Sequence, residues 1–143
     1  MPELMNSEYC LGFVLDVPVR AGTEITPGML VVVDVDRGGA CGAKDVTGTV
    51  MAGVSAGYTD NRQGSVGAKS IGVWRRGRFL FDCVGNFTIK DLFRRVYSVD
   101  EHTVQLNDRG PSGPWVGNFV GLSRFPGKVW VEIDAAVNEG RRA

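Results

Sequence analysis

Arg78-Phe79-Leu80-Phe81-Asp82-Cys83 alternates apolar and other side chains, and Lys128-Val129-Trp130-Val131-Glu132-Ile133 repeats that alternation near the end of the chain. In an extended backbone successive side chains point to opposite faces. Phe79, Phe81 and Cys83 therefore share one face of the first stretch. Val129, Val131 and Ile133 share one face of the second, away from Lys128, Trp130 and Glu132. Each stretch reads as a β-strand that covers a core on one side. Outward from these two, nearly every apolar segment is short, β-branched or aromatic, and bounded by Gly, Asp, Asn or Pro. Strands are expected at 13–17, 29–36, 48–55, 67–74, 78–83, 96–99, 103–106, 116–122 and 128–133. Trp74-Arg75-Arg76-Gly77-Arg78 reads as a short hairpin with glycine at a positive φ, and Val99-Asp100-Glu101-His102-Thr103 as another. Neighbouring strands are thus expected to run antiparallel. Closing about nine of them hides their edges, so the expected fold is mainly β: a compact single-domain barrel or sandwich of short antiparallel strands.

One segment reads as a short helix. In Asn86-Phe87-Thr88-Ile89-Lys90-Asp91-Leu92-Phe93-Arg94-Arg95, Thr88 is placed to cap and Asp91 falls three residues on, where a carboxylate favours first-turn amides. Thr26-Pro27-Gly28-Met29 is a weaker version that Gly28 makes a turn. Both lead into an extended run that ends at an acid, Asp34 or Asp100, a loose echo with no solenoid spacing. Residues 1–12 lack a clean period and read as an extended N-terminal arm. Residues 13–134 form the β domain, and 135–143 a C-terminal tail.

Length and composition bound the function. The chain has 143 residues, 16 basic and 16 acidic, 43% hydrophobic, with 20 Gly and 6 Pro. That length suits one domain, and the glycine excess over ordinary charge and apolar content marks turns rather than disorder. Zero net charge removes the long-range field of a general nucleic-acid binder. The longest apolar run, Met29 to Val33, is far too short to span a membrane, and Met1-Pro2-Glu3-Leu4 lacks the basic and apolar regions of a signal peptide. A soluble protein is expected. The basic residues are twelve Arg and four Lys, a bias toward side chains that pair with carboxylates and stack on rings at interfaces.

The motifs that suggest chemistry lack its other parts. Three cysteines, Cys10, Cys41 and Cys83, and one histidine, His102, have no zinc-ligand spacing and read as small thiols. Gly53-Val54-Ser55-Ala56-Gly57 matches the GxSxG of a nucleophile elbow, but a polar turn follows where that motif needs a helix. Arg37-Gly38-Gly39-Ala40-Cys41-Gly42-Ala43-Lys44 offers glycines and a lysine without the phosphate-loop pattern. Arg75-Arg76-Gly77-Arg78 is a basic tip beside Trp74 and Phe79. Trp115 ends a Gly/Pro loop that reads either as a turn folded on the core or as a contact loop, since Trp and Arg anchor protein interfaces. Neither an enzyme nor a cofactor is expected.

The order of residues Val17-Pro18-Val19-Arg20-Ala21-Gly22-Thr23-Glu24-Ile25-Thr26-Pro27-Gly28-Met29-Leu30-Val31, then Val50-Met51-Ala52-Gly53-Val54, resembles the capsid cement (head decoration) proteins of tailed bacteriophages. The likeness continues through Asp60-Asn61 with Gly64 and Gly67-Ala68, Val73 with Arg76-Gly77-Arg78-Phe79, Val96-Tyr97-Ser98-Val99-Asp100, and Val129-Trp130-Val131-Glu132-Ile133-Asp134. It covers roughly residues 17–134. The resemblance implies a non-enzymatic β protein on the outer surface of the virion head, assembled in the host cytoplasm. Such a protein locks major capsid protein subunits together, commonly as a homo-oligomer with a trimer favoured, without direct contact to nucleic acid or membrane. It also implies an arm that lies across the shell. Residues 107–118 depart from the pattern as an insertion. The residues assigned to partner contact are Leu4, Met5, Tyr9 and Leu11 in the arm, Arg75 and Arg76 at the basic tip, and Trp115 in the Gly/Pro loop. The stretch 19–30 is also similar to the SAF or β-clip module, which binds small anions or peptides but leaves the last seventy residues unexplained.

Overall fold

A computed structural model describes residues 14–43, 50–106 and 115–135. The arm assigned to 1–12, with Leu4, Met5, Tyr9 and Leu11, lies outside the described residues, as do Cys10, 107–114 and all of the tail beyond Ala135. Among the described residues twelve strands run in chain order: β1 (Val14–Pro18), β2 (Thr23–Ile25), β3 (Leu30–Val33), β4 (Ala40–Gly42), β5 (Val50–Ser55), β6 (Thr59–Asn61), β7 (Ser70–Trp74), β8 (Arg76–Cys83), β9 (Arg95–Ser98), β10 (Thr103–Gln105), β11 (Trp115–Leu122) and β12 (Lys128–Asp134). A single 3₁₀ turn, Ile89–Asp91, is the one helical element that lies wholly within the described residues, and no described helix is long and apolar enough to cross a membrane. The fold is mainly β, as the alternation predicts.

The strands divide between two bodies of sheet. A five-stranded sheet has the order β1-β7-β5-β3-β4. A closed barrel has the cyclic order β10-β8-β12-β11-β9, and β2 pairs with β6 in a separate ribbon. β2, β4 and β6 have three residues each and carry too little alternation to read from sequence.

The hairpin expected at 74–78 does not form. β7 already lies between β1 and β5, and β8 between β10 and β12, so neither has an edge left for the other. Only Arg75 separates the two strands, and the chain passes through it from sheet to barrel; its carbonyl accepts the Ala135 N–H at 2.9 Å. Gly77 sits inside β8 opposite Ile133 rather than in a turn. The hairpin at 99–103 does form, with Val104 opposite Ser98.

Adjacent strands are antiparallel with one exception, β8 against β10. The exception has a topological cause. Five strands closed in a ring cannot alternate direction all the way round, so an odd barrel contains at least one parallel pair.

One core joins the two bodies. Leu30, Val32, Cys41, Met51 and Val54 on one face of the sheet pack with Phe81, Val96, Val104, Val116, Phe119, Val129, Val131 and Ile133 of the barrel. Val131 lies opposite Phe79 and Val129 opposite Phe81, which places the two alternating stretches side by side with their apolar faces inward. Phe87 meets Phe119 edge-on, ring centroids 5.0 Å apart. The other face of the sheet packs Val19, Val31, Ala40, Ala52, Ile71 and Val73 with Ile25 of the ribbon. Full burial of each Val, Leu, Ile, Phe or Met side chain among these stabilises by about 1.5–3 kcal/mol, which is why strands this short hold together.

Gly53 is required where β5 bulges against β3 and runs close beside β7. Its φ is +143°, and a Cβ there would stand 2.0 Å from the Trp74 carbonyl oxygen. The first glycine of the GxSxG pattern is therefore a packing residue.

Candidate contact surface

The groups that looked reactive in sequence are occupied by the fold. The buried Ser55 hydroxyl donates to the Thr26 carbonyl and accepts the Met29 N–H at 2.9 Å, while the Ser55 carbonyl takes the Gly28 N–H at 3.0 Å. Ser55 thus ties the end of β5 to the turn at 26–29, and both faces of its hydroxyl are engaged. His102 lies exposed in the β9–β10 turn, where its backbone N–H donates to the Asp100 carboxylate at 2.9 Å. Cys41 is buried, and burial, followed by the nearby Asp82 charge, pushes the Cys83 thiol up and away from the thiolate.

Among the described residues, Asp100, Glu101 and His102 bring ligand atoms within 4.8 Å of one another, which makes them the one group of metal-ligating types. Their observed work is to close a turn. Burial opposes the Asp100 charge, but hydrogen bonds from His102 and Thr103 outweigh it and hold the carboxyl below its usual range. The Glu101 carbonyl takes the Leu30 N–H at 2.7 Å and docks that turn on β3. Asp34, the other strand-end acid, closes its turn in the same way, accepting the Asp36 and Arg37 N–H groups at 3.0 Å.

A shallow cavity of about 290 Å³ is lined by Asp60, Asn61, Gln63, Gly64, Ala68 and Lys69. Asn61 is buried behind it and donates to the Val19, Arg20 and Ser65 carbonyls, so its amide organises the loop. Its Oδ1 has no hydrogen-bond partner among the described residues and is closed over by Gly64, where a Cβ would lie 2.2 Å away. Arg62 holds Asp60 with two hydrogen bonds of 2.9 and 2.8 Å and lowers its carboxyl.

The three described residues assigned to partner contact all have partners within the chain. Arg76 faces Asp134 at 3.7 Å, beside Arg78 with Glu132 at 3.9 Å and Lys128 with Asp82 at 2.6 Å, a ladder of opposite charges across β8 and β12. That pairing removes the concentrated positive charge a phosphate grip needs. Arg75 reaches the Ala52 carbonyl at 3.4 Å. Trp115 donates its indole N–H to the Gly117 carbonyl at 2.9 Å, and the Arg95 guanidinium stacks 4.3 Å from its ring centre. Its ring is folded back on the body.

A different contact feature emerges from the segment read as a helix. Thr88 caps, with its hydroxyl accepting the Lys90 N–H, and Asp91 returns to the Thr88 N–H at 2.9 Å. The Thr88 amide, then the Arg94 guanidinium at 2.9 Å, hold the Asp91 carboxyl below its usual range. The cap is as the sequence predicts, but the segment stops after one 3₁₀ turn. Its apolar side chains then point to solvent: Ile89 is 72% exposed, Phe93 70% and Leu92 39%. Phe93 is the one non-glycine residue with positive φ among those described, at +70°. Two clamps fix it there. Its N–H donates to the Phe119 carbonyl at 2.7 Å, and its own carbonyl accepts the Asn118 side-chain amide at 2.7 Å. Sequence reasoning missed this surface because it read the segment only for its cap, Thr88 with Asp91, and not for which of its apolar side chains would face solvent. A phenylalanine where the backbone favours glycine leaves no sequence signature.

No protein-family model, curated protein or solved structure matches the chain.

Proposed function

We propose that the chain is a non-enzymatic capsid decoration (cement) protein. In this reading it binds the outer surface of a tailed-phage head and stabilises contacts between major capsid protein subunits. The observation that carries the reading is the rigid turn at 89–93, which holds Ile89 and Phe93 outward on a backbone clamped to β11. Exposed apolar groups on a pre-ordered segment suit a protein partner, because little freedom remains to be lost on binding. The sequence resemblance supplies the identity of that partner. A homo-oligomer, with a trimer favoured, multiplies modest contacts through effective concentration. Balanced charge suits a protein surface better than packaged DNA.

The test is co-sedimentation of the purified protein with expanded and unexpanded heads assembled without it. Attachment to expanded heads is expected, and no attachment to either would remove the reading. Deleting residues 1–10 tests the arm: occupancy is expected to drop while the β body stays folded, and unchanged occupancy counts against an arm. The SAF or β-clip alternative draws on Lys69 in the shallow cavity, but Asp60 lines the same cavity and opposes an anion. A raised melting temperature with phosphate or a sialic-acid-like ligand would favour it, and a flat response removes its support.

A further inference from the structure

We infer that the turn at 89–93 is a docking knob for an apolar pocket rimmed by carboxylates on the partner's surface; this rests on the decoration reading and names the chemistry of the face it meets. The 3₁₀ turn ends at Asp91 with Leu92 as its C-cap, and Ile89, Leu92 and Phe93 all stand exposed along this short segment. A phenylalanine at φ +70° is unfavourable in itself, and the Phe119 and Asn118 hydrogen bonds hold a ring there that the core does not use. Charge complementarity chooses the partner. Lys90 is exposed and makes no ion pair with any described residue. Arg94 pairs with Asp91 at 2.9 Å and Arg95 lies over the Trp115 ring, so residues 90–95 carry three cations against one acid, an excess of two positive charges. Exposed apolar side chains on a segment with an excess of positive charge are met best by a pocket with an acidic rim.

Phe93→Gly separates binding from folding, because glycine accepts the backbone that phenylalanine strains. Binding of labelled wild type, Phe93→Gly and Lys90→Glu is measured by dilution against expanded heads assembled without the protein, at low and high salt. The expected result is saturable wild-type binding that weakens with salt. Phe93→Gly should bind ~10-fold or more weakly, as loss of a buried ring predicts, with a melting temperature unchanged or raised. Lys90→Glu should show a smaller loss and a shallower salt dependence. Phe93→Gly binding like wild type overturns the knob while leaving decoration standing. Salt-independent binding with no effect of Lys90→Glu overturns the acidic rim. Wild type that binds no head removes the decoration reading and this partner with it. Phe93-dependent binding to vesicles of phosphatidylcholine and phosphatidylserine, without binding to heads, assigns the knob to a membrane and overturns the inference.

Discussion

The side-chain amide of Asn118, on β11, donates to the carbonyl of Phe93 across 2.7 Å and fixes the only described non-glycine residue with positive φ. The bond joins the barrel wall to the exposed turn, so the turn's order depends on it. Asn118→Ala is expected to cost about 0.5–1.5 kcal/mol, the net worth of one such hydrogen bond. Amide hydrogen exchange at residues 89–94 should accelerate while β8 and β12 stay protected. Equal protection in both proteins would show that the Phe119 bond alone suffices.

Arg20 and Asp34 form the most buried ion pair among the described residues, Nη1 to Oδ2 3.0 Å, with side chains 12% and 5% exposed. The Arg37 amide first, then Arg20, hold the Asp34 carboxyl below its ordinary value. Asp91 is lowered in the same direction. A carboxyl depressed by folding contributes stability that is fully present above its unfolded pKa of about 3.9 and lost as pH falls through the lower folded value. Denaturation midpoints should therefore stay level from about pH 6 to 5 and drop below about pH 4. Asp34→Asn should lower the midpoint at neutral pH and flatten the acid limb; an unaltered acid limb would assign the loss to other carboxyls.

Phe119 is fully buried where sheet and barrel share a core, and it packs edge-on against Phe87. Phe119→Ala should destabilise by about 3–5 kcal/mol. Urea unfolding monitored by tryptophan fluorescence measures it. A loss under about 1 kcal/mol would mean that the two bodies do not rely on this packing.

Gly53→Ala places a methyl group against the Trp74 carbonyl on a backbone at φ +143°, whereas Gly57, four residues on, has nothing within 4 Å of an added Cβ. The first substitution should cost at least ~3 kcal/mol and the second less than ~0.5 kcal/mol. Comparable thermal stability of the two variants would contradict the close approach of β5 and β7 at Gly53.

The β class and the inward faces of β8 and β12 were legible because alternation over six residues determines which side is buried. Val129, Val131 and Ile133 show it directly. The capping pair Thr88 and Asp91 was legible for a similar reason, since the chemistry is local. Pairing was harder. Trp74 and Arg78 look like the two arms of a hairpin, yet their partners are Val14 and Val54 for one and Glu132 for the other, all distant in sequence. The contact surface was least legible. Arg76 and Trp115 have the residue types of interface anchors, but Asp134 and Arg95 engage them, and those partners are set by strand register. Phe93 is exposed through a backbone conformation that its own residue type disfavours.

The most direct measurement of the central claim is an electron cryomicroscopy image of expanded heads incubated with the protein, compared with heads kept without it. The account predicts added density on the outer surface at repeated positions between capsid subunits, with the turn at 89–93 facing the shell. Identical shells at saturating protein would contradict it.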